Sequence, residues 1–110
     1  MRILIAGFLM ASAGLVMAGD EMPEKAAQCA ACHGEAGAKP ILPEYPVLAG
    51  QYANYLEHAM REYRDGKRSN AVMSGQAAGL SDAEIADLAA YFQAQESPLY
   101  TPGLPAGAAE

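Results

Sequence analysis

The chain has 110 residues, of which 52% are hydrophobic, and its seven basic and thirteen acidic residues give a formal net charge of −6. An acidic chain lacks the positive surface that binds phosphate, which excludes nucleic acid as a partner. Adsorption to anionic lipid is disfavoured for the same reason.

Residues 1–18 follow the layout of a secretory signal peptide. Arg2 precedes an apolar run, and small residues lead to Ala18, after which we expect cleavage. The alternative is an uncleaved anchor, although the run is shorter than the roughly 20 residues that a spanning helix needs. The segment contains one basic and no acidic residue, so its removal would leave 92 of the 110 residues with a formal charge of −7. The sequence predicts export without stable membrane insertion.

The segment from Asp20 to Ala31 predicts a short helix with Pro23 in its first turn, and Gly34 stops it. Across its end runs Cys-Ala-Ala-Cys-His, which includes the only two cysteines of the chain, Cys29 and Cys32. This motif is typical of a c-type haem attachment site.

The chemistry of that site requires each residue of the motif. Two thiols form thioether bonds with the vinyl groups of one porphyrin edge, and the next residue, His33, turns an imidazole nitrogen onto the iron. On a helix Cys29, Cys32 and His33 share one face. A zinc half-site would need about four ligands, and the sequence adds only the isolated His58. A redox dithiol belongs near a βαβ pattern, which is missing here, so we predict one covalent haem c.

The remaining segments predict two further helices between ordered loops. Glycines and prolines rule out regular structure over 34–50, so this loop is expected to wrap the haem edge. An apolar stripe of helical period predicts a helix over 51–66, in which His58 belongs to the solvated face. Residues 67–80 are expected to form a loop, and Ser81 and Glu84 form a capping box for a helix that runs to about Gln95.

The domain organisation follows from these segments. We expect a signal peptide at 1–18, one cytochrome domain at 19–96, and a mobile tail rich in Pro, Gly and Ala at 97–110. A docking peptide is the alternative for the tail. Since 92 residues bury only a small core, a large apolar cofactor would complete it.

A second axial ligand has three candidates in the mature chain. Met22 precedes the haem-bearing helix and would have to reverse direction within one turn, and Met60 belongs to the apolar stripe, where core packing is expected. Met73 lies in the predicted loop with a helix on either side to anchor it. We therefore assign Met73 as the sixth ligand of the iron.

An ordered set of segments runs through the mature chain: Gln28 to Gly34, Tyr45 to Gln51, Tyr55-Leu56, Tyr63 to Arg68, Met73, Leu80 to Ile85 and Leu88 to Phe92. Together these segments resemble the class I cytochromes c of bacteria over most of the mature chain, both the single-domain soluble forms and one half of the two-domain, two-haem forms. The resemblance implies an all-α fold, a low-spin haem held by His33 and Met73, and electron transfer in the periplasm. It also implies that Pro46 offers its backbone carbonyl to the second nitrogen of His33. One haem motif, instead of two, sets this chain apart from the two-haem forms.

The predicted function is that of a small exported electron carrier, monomeric or in transient complexes with redox partner proteins, and not an enzyme by itself. The alternative is a haem subunit bound permanently to a catalytic partner such as a flavin-containing dehydrogenase. A gas-binding or peroxidatic haem would require that Met73 not ligate. A basic cluster before the Met73 segment, made of Arg61, Arg64, Lys67 and Arg68, is a candidate for steering partners, unless it is simply a solvated helix end.

Overall fold

The structure, a computed structural model, describes Gly14 and residues 21–100. The predicted signal peptide, apart from Gly14, and the tail from residue 101 onward lie outside the described residues. Within them the fold is all-helical, which confirms the predicted class. None of the helices in this part of the chain has the length and apolar character of a membrane span. The elements are α1 (Ala26–His33), a 3₁₀ turn (Glu35–Gly37), α2 (Ala53–Arg64), α3 (Ala71–Ala77) and α4 (Asp82–Gln93).

The first helix is shorter than predicted and lies further along the chain. It begins at Ala26, because the carbonyl of Pro23 accepts the Ala26 amide in a separate turn at 2.9 Å. It ends at His33, where Gly34 adopts φ +84°. A Cβ at Gly34 would overlap the carbonyl oxygen of Lys39. Only glycine allows the chain to turn back so closely after the helix.

The second helix has the predicted bounds to within two residues. Gly66, at φ +77°, follows its last turn. Of the apolar stripe only Leu56 is buried, whereas Tyr52 and Tyr55 are about half exposed. Met60 is half-buried and packs against the core, as predicted.

The segment 67–80 is not the continuous loop that the sequence predicted, because α3 lies within it. Asn70 caps this helix through its side-chain oxygen, which accepts the amides of Val72 and Met73, each at 3.1 Å. The segment lacks an apolar period, which is why the pattern favoured a loop. Asn is a strong N-cap residue, so Asn70 was the signal that could have revealed the helix.

The fourth helix matches its prediction in both its cap and its buried face. Ser81 Oγ accepts the Glu84 amide at 3.1 Å, and Glu84 Oε1 accepts the Ser81 amide at 3.0 Å. The predicted stripe is fully buried and supplies half of the buried apolar residues in the described part of the chain. These residues are Ile85, Leu88, Ala89 and Phe92.

Side-chain bridges join the ends of the helices. Lys25 before α1 pairs with Glu84 at 2.7 Å, and Arg64 at the end of α2 pairs with Asp82 at 2.7 Å. Arg64 also donates to the carbonyl of Leu80 at 3.3 Å. The chain that enters α4 is therefore fixed to both α1 and α2.

Candidate functional site

The predicted attachment residues lie at the C-terminal end of α1. Cys29 and Cys32 are both half-buried and are not joined by a disulfide, and His33 is 6% exposed. The spacing within an α-helix places the two thiols and the imidazole on one side of it. Beyond the helix the chain returns, and the Ile41 amide donates to the Cys32 carbonyl at 3.0 Å.

The hydrogen bond of His33 determines what its other ring nitrogen can do. Nδ1 of His33 lies 2.8 Å from the carbonyl oxygen of Pro46. A carbonyl oxygen can only accept, so Nδ1 carries the proton and donates it. Nε2 of a neutral imidazole then has a free lone pair, which is the form that ligates a metal. This is the contact that the resemblance implies for Pro46.

An aromatic side chain from the same loop also lies beside this histidine. The ring of Tyr45 lies 6.2 Å from the imidazole, centroid to centroid, at an angle of 52°. Tyr45 is half-buried. Tyr45 begins one of the segments that carry the resemblance, but the sequence assigned it no role in the site, because an aromatic residue in a loop carries no periodic signal.

The state of the Cys29 thiol argues against a redox dithiol. Burial raises the pKa of Cys29, and its Sγ donates to the Lys25 carbonyl at 3.6 Å. Reactive dithiols need a lowered thiol pKa, because the thiolate is the nucleophile. The Cys29 thiol therefore lacks the lowered pKa that disulfide exchange requires.

The structure does not support the alternative of a zinc site. In the part of the chain that the structure describes, no three His, Cys, Asp or Glu side chains converge as a metal site would require. His58 is far more exposed than His33 and pairs with Glu62 on the same helix at 2.6 Å. The donor set of α1 instead fits a haem c, with two thiols for thioether bonds and one imidazole nitrogen for the iron.

The three candidate methionines differ in their surroundings. Met22 is more than half exposed, and Met60 packs against the core beside α4. Met73 is half-buried on α3, one turn after the Asn70 cap. The segment that carries Met73 is anchored at its start by Glu62, whose carbonyl accepts the Lys67 amide at 2.9 Å.

Comparison with known proteins gives the family. The family model described as "Cytochrome c" matches residues 24–96. The chain is 47% identical over 87 residues to cytochrome c-554(548) of Halomonas halodenitrificans, which covers 76% of this chain and all of that protein. It is 49% identical over 72 residues to cytochrome c4 of Pseudomonas aeruginosa, or 66% of this chain and 35% of that protein.

Two further relatives are longer than this chain. A protein of Thiomonas intermedia named thiosulfate dehydrogenase electron acceptor is 42% identical over 87 residues, which is 79% of this chain and 40% of that protein. The crystal structure of reduced recombinant cytochrome c4 from Pseudomonas stutzeri superposes with a TM-score of 0.58 at 35% identity, over 62% of this chain and 38% of that one. The chain therefore spans all of the c-554(548) relative but well under half of these two proteins and of the Pseudomonas aeruginosa relative.

The attachment motif on α1, the helical fold and these similarities agree with one another. Cys29 and Cys32, in C-x-x-C spacing with His33 directly after, fit a single haem. The chain belongs to the cytochrome c family and is a monohaem class I cytochrome c with one covalent haem c and an electron-carrier role.

Proposed function

We propose that the protein carries single electrons in the periplasm, with its haem iron held by His33 and Met73. The observation that carries the proposal is the 2.8 Å contact between His33 Nδ1 and the Pro46 carbonyl, which leaves Nε2 as a ligand. Haem c, when bound, supplies a one-electron iron couple.

The two proposed axial ligands, His33 and Met73, change the reduction potential of that couple in opposite directions. A hydrogen bond from the ligating histidine to a carbonyl raises the basicity of the ligand, which favours the ferric state. The thioether of Met73 is neutral and soft, and a methionine ligand raises the potential relative to ligation by two histidines. A potential raised by the methionine ligand suits acceptance of electrons from quinol-oxidising complexes and delivery to a terminal oxidase or reductase.

A redox titration of the purified holoprotein tests this function. We expect one haem per chain, a one-electron Nernst slope, and a low-spin spectrum that carbon monoxide does not change in the ferrous state. An open iron that binds carbon monoxide, or rapid turnover of peroxide, would instead support a gas-binding or peroxidatic haem.

The localisation has its own test, because the predicted signal peptide lies outside the described residues. Fractionation of the native host should place the holoprotein in the periplasm. The mature chain should begin at Gly19, the residue after the predicted cleavage site. A membrane-bound product that retains residues 1–18 would support the uncleaved anchor.

A dehydrogenase is a second candidate for the redox partner. The observation that favours it is the relative named thiosulfate dehydrogenase electron acceptor. We expect the holoprotein to elute alone from a native extract and to be reduced by such an enzyme in transient encounters. Stable co-elution with a catalytic subunit would favour the alternative of a permanently bound haem subunit.

A further inference from the structure

The carbonyl that binds His33 belongs to a loop with no regular structure, so something must hold it in place. The loop contains Pro46, Leu48 and Ala49, and the turn Glu35–Gly37 lies against it. The Gly37 carbonyl accepts two amides of the loop, from Leu48 at 2.8 Å and from Ala49 at 3.2 Å. One carbonyl oxygen thus fixes the backbone two and three residues after Pro46.

The position of Gly37 is specific for glycine in two independent ways. Its φ is +69°, a region that other residues rarely adopt. A Cβ built there would lie 2.9 Å from both Leu48 Cβ and Phe92 Cδ1. Gly37 is itself buried, so the loop and α4 close directly onto its backbone.

We propose that Gly37 is a positioning residue for the axial histidine, acting through the Leu48 amide and the Pro46 carbonyl on the imidazole of His33. This inference rests on the proposed ligation of the iron by His33. Phe92 closes the arrangement from the other side, because its carbonyl accepts the Gly50 amide at 2.9 Å. Residues 48–50, which directly follow the Pro46 segment, are thereby held by Gly37 on one side and by α4 on the other, and the Pro46 oxygen stays aimed at Nδ1.

The consequence is electronic as well as structural. If the loop shifts, the Nδ1 hydrogen bond weakens and the imidazole becomes a poorer donor to the iron. The ferric state then loses stabilisation, so the midpoint potential rises. A role of Gly37 in folding alone would lower stability without changing the potential.

The test compares three variants of the holoprotein with the wild type. Gly37→Ala adds the clashing methyl group. Gly66→Ala is the matched control, because Gly66 has a similar φ of +77° but nothing within 4 Å of a built Cβ. Replacing the Leu48 amide by an ester, with the α-hydroxy acid analogue of leucine, removes the 2.8 Å donor without adding bulk.

Two readouts decide the matter: the midpoint potential and the solvent exchange of the hyperfine-shifted Nδ1 proton of His33 in the ferric state. We expect a higher potential and roughly five- to tenfold faster exchange in Gly37→Ala and in the ester variant, and wild-type values in Gly66→Ala. If Gly37→Ala does not fold, the ester variant decides alone.

Wild-type values in the ester variant would overturn the positioning role. A wild-type protein without any hyperfine-shifted Nδ1 proton would overturn the ligation by His33 itself. The two failures are therefore distinguishable.

Discussion

The histidine side and the methionine side of the proposed site are built in different ways. His33 is buried, and the fold fixes its ring directly through the Pro46 carbonyl. Met73 lies on a seven-residue helix that Asn70 caps at its start, and the Arg64 contact to the Leu80 carbonyl fixes the chain three residues after the helix ends. The position of the histidine is therefore set by its own contacts, whereas that of the methionine depends on the contacts that hold its segment.

The largest effect is expected where the histidine side meets the cofactor. Cys29→Ser or Cys32→Ser should leave little stable holoprotein, because each removes one thioether bond. Among the described residues the largest fully buried side chains are Ile85 and Leu88, so the attached haem completes a small core. Yield and haem content after export, measured by mass spectrometry, check this.

The control for that experiment is Ala31→Ser, an exposed position on the same helix. It leaves the motif intact and should give wild-type holoprotein. Folded, haem-free protein in normal yield from either cysteine variant would contradict the expectation.

The second effect concerns the tether on the methionine side. Arg64→Ala removes the contacts to the Leu80 carbonyl and to Asp82, so we expect the Met73 segment to loosen before the rest of the protein. On heating, the ferric sulfur-to-iron charge-transfer absorption should disappear below the temperature of global unfolding, which circular dichroism reports.

Arg61→Ala is the matched control, since Arg61 approaches Glu57 and Asp82 only at 3.6 and 3.8 Å. It should leave the two transitions together, as in the wild type. If Arg64→Ala also keeps them together, the segment does not depend on this tether.

The sequence predicted the histidine side of the site more completely than the methionine side. The C-x-x-C-H spacing by itself indicates the chemistry of haem attachment. The apolar stripe of α4 and the capping box at Ser81 predicted the correct helix, because periodicity and capping are local properties. The short α3 was missed, since its seven residues have no apolar period. The Gly37 carbonyl and the Arg64 bridge join residues distant in the chain, and no local pattern encodes such contacts.

The third effect is the acid sensitivity of the junction between α1 and α4. The Lys25 ammonium and the Ser81 amide lower the pKa of Glu84 to about 2. Because the pKa is lowered by folding, the stabilisation is complete above the ordinary value of about 4.5 and is lost as the pH falls towards 2. The melting temperature of the wild type should fall in this window, and Glu84→Gln should remove that part of the fall.

Glu96→Gln, an exposed position after α4, serves as the control and should keep the full acid dependence. An unchanged pH profile in Glu84→Gln would mean that the Lys25 pair contributes nothing to this junction.

The smallest effect is expected from the basic cluster on the methionine side. Arg61 and Arg64 both face Asp82, and Arg68 lies 5.1 Å above the Tyr63 ring. Lys67 is therefore the most exposed charge of the four. Lys67→Gln should slow reduction by a small anionic reagent about twofold at low salt, with no difference at high salt. Stopped-flow rates measured against ionic strength check this.

Lys39→Gln provides the comparison on the histidine side, since Lys39 is also exposed. It should change the rate less than Lys67→Gln does. Equal effects of the two variants would show that net charge governs the encounter, without local steering.

The most direct test of the proposed ligation compares Met73→Ala with Met60→Ala. Met73→Ala should abolish the ferric charge-transfer absorption, lower the reduction potential and open the ferrous iron to carbon monoxide. Met60 packs against the core but is only half-buried, so Met60→Ala should keep that absorption and lose stability near or below the low end of roughly 2 to 5 kcal/mol. Retention of the absorption in Met73→Ala, together with its loss in Met60→Ala, would contradict the ligation by Met73.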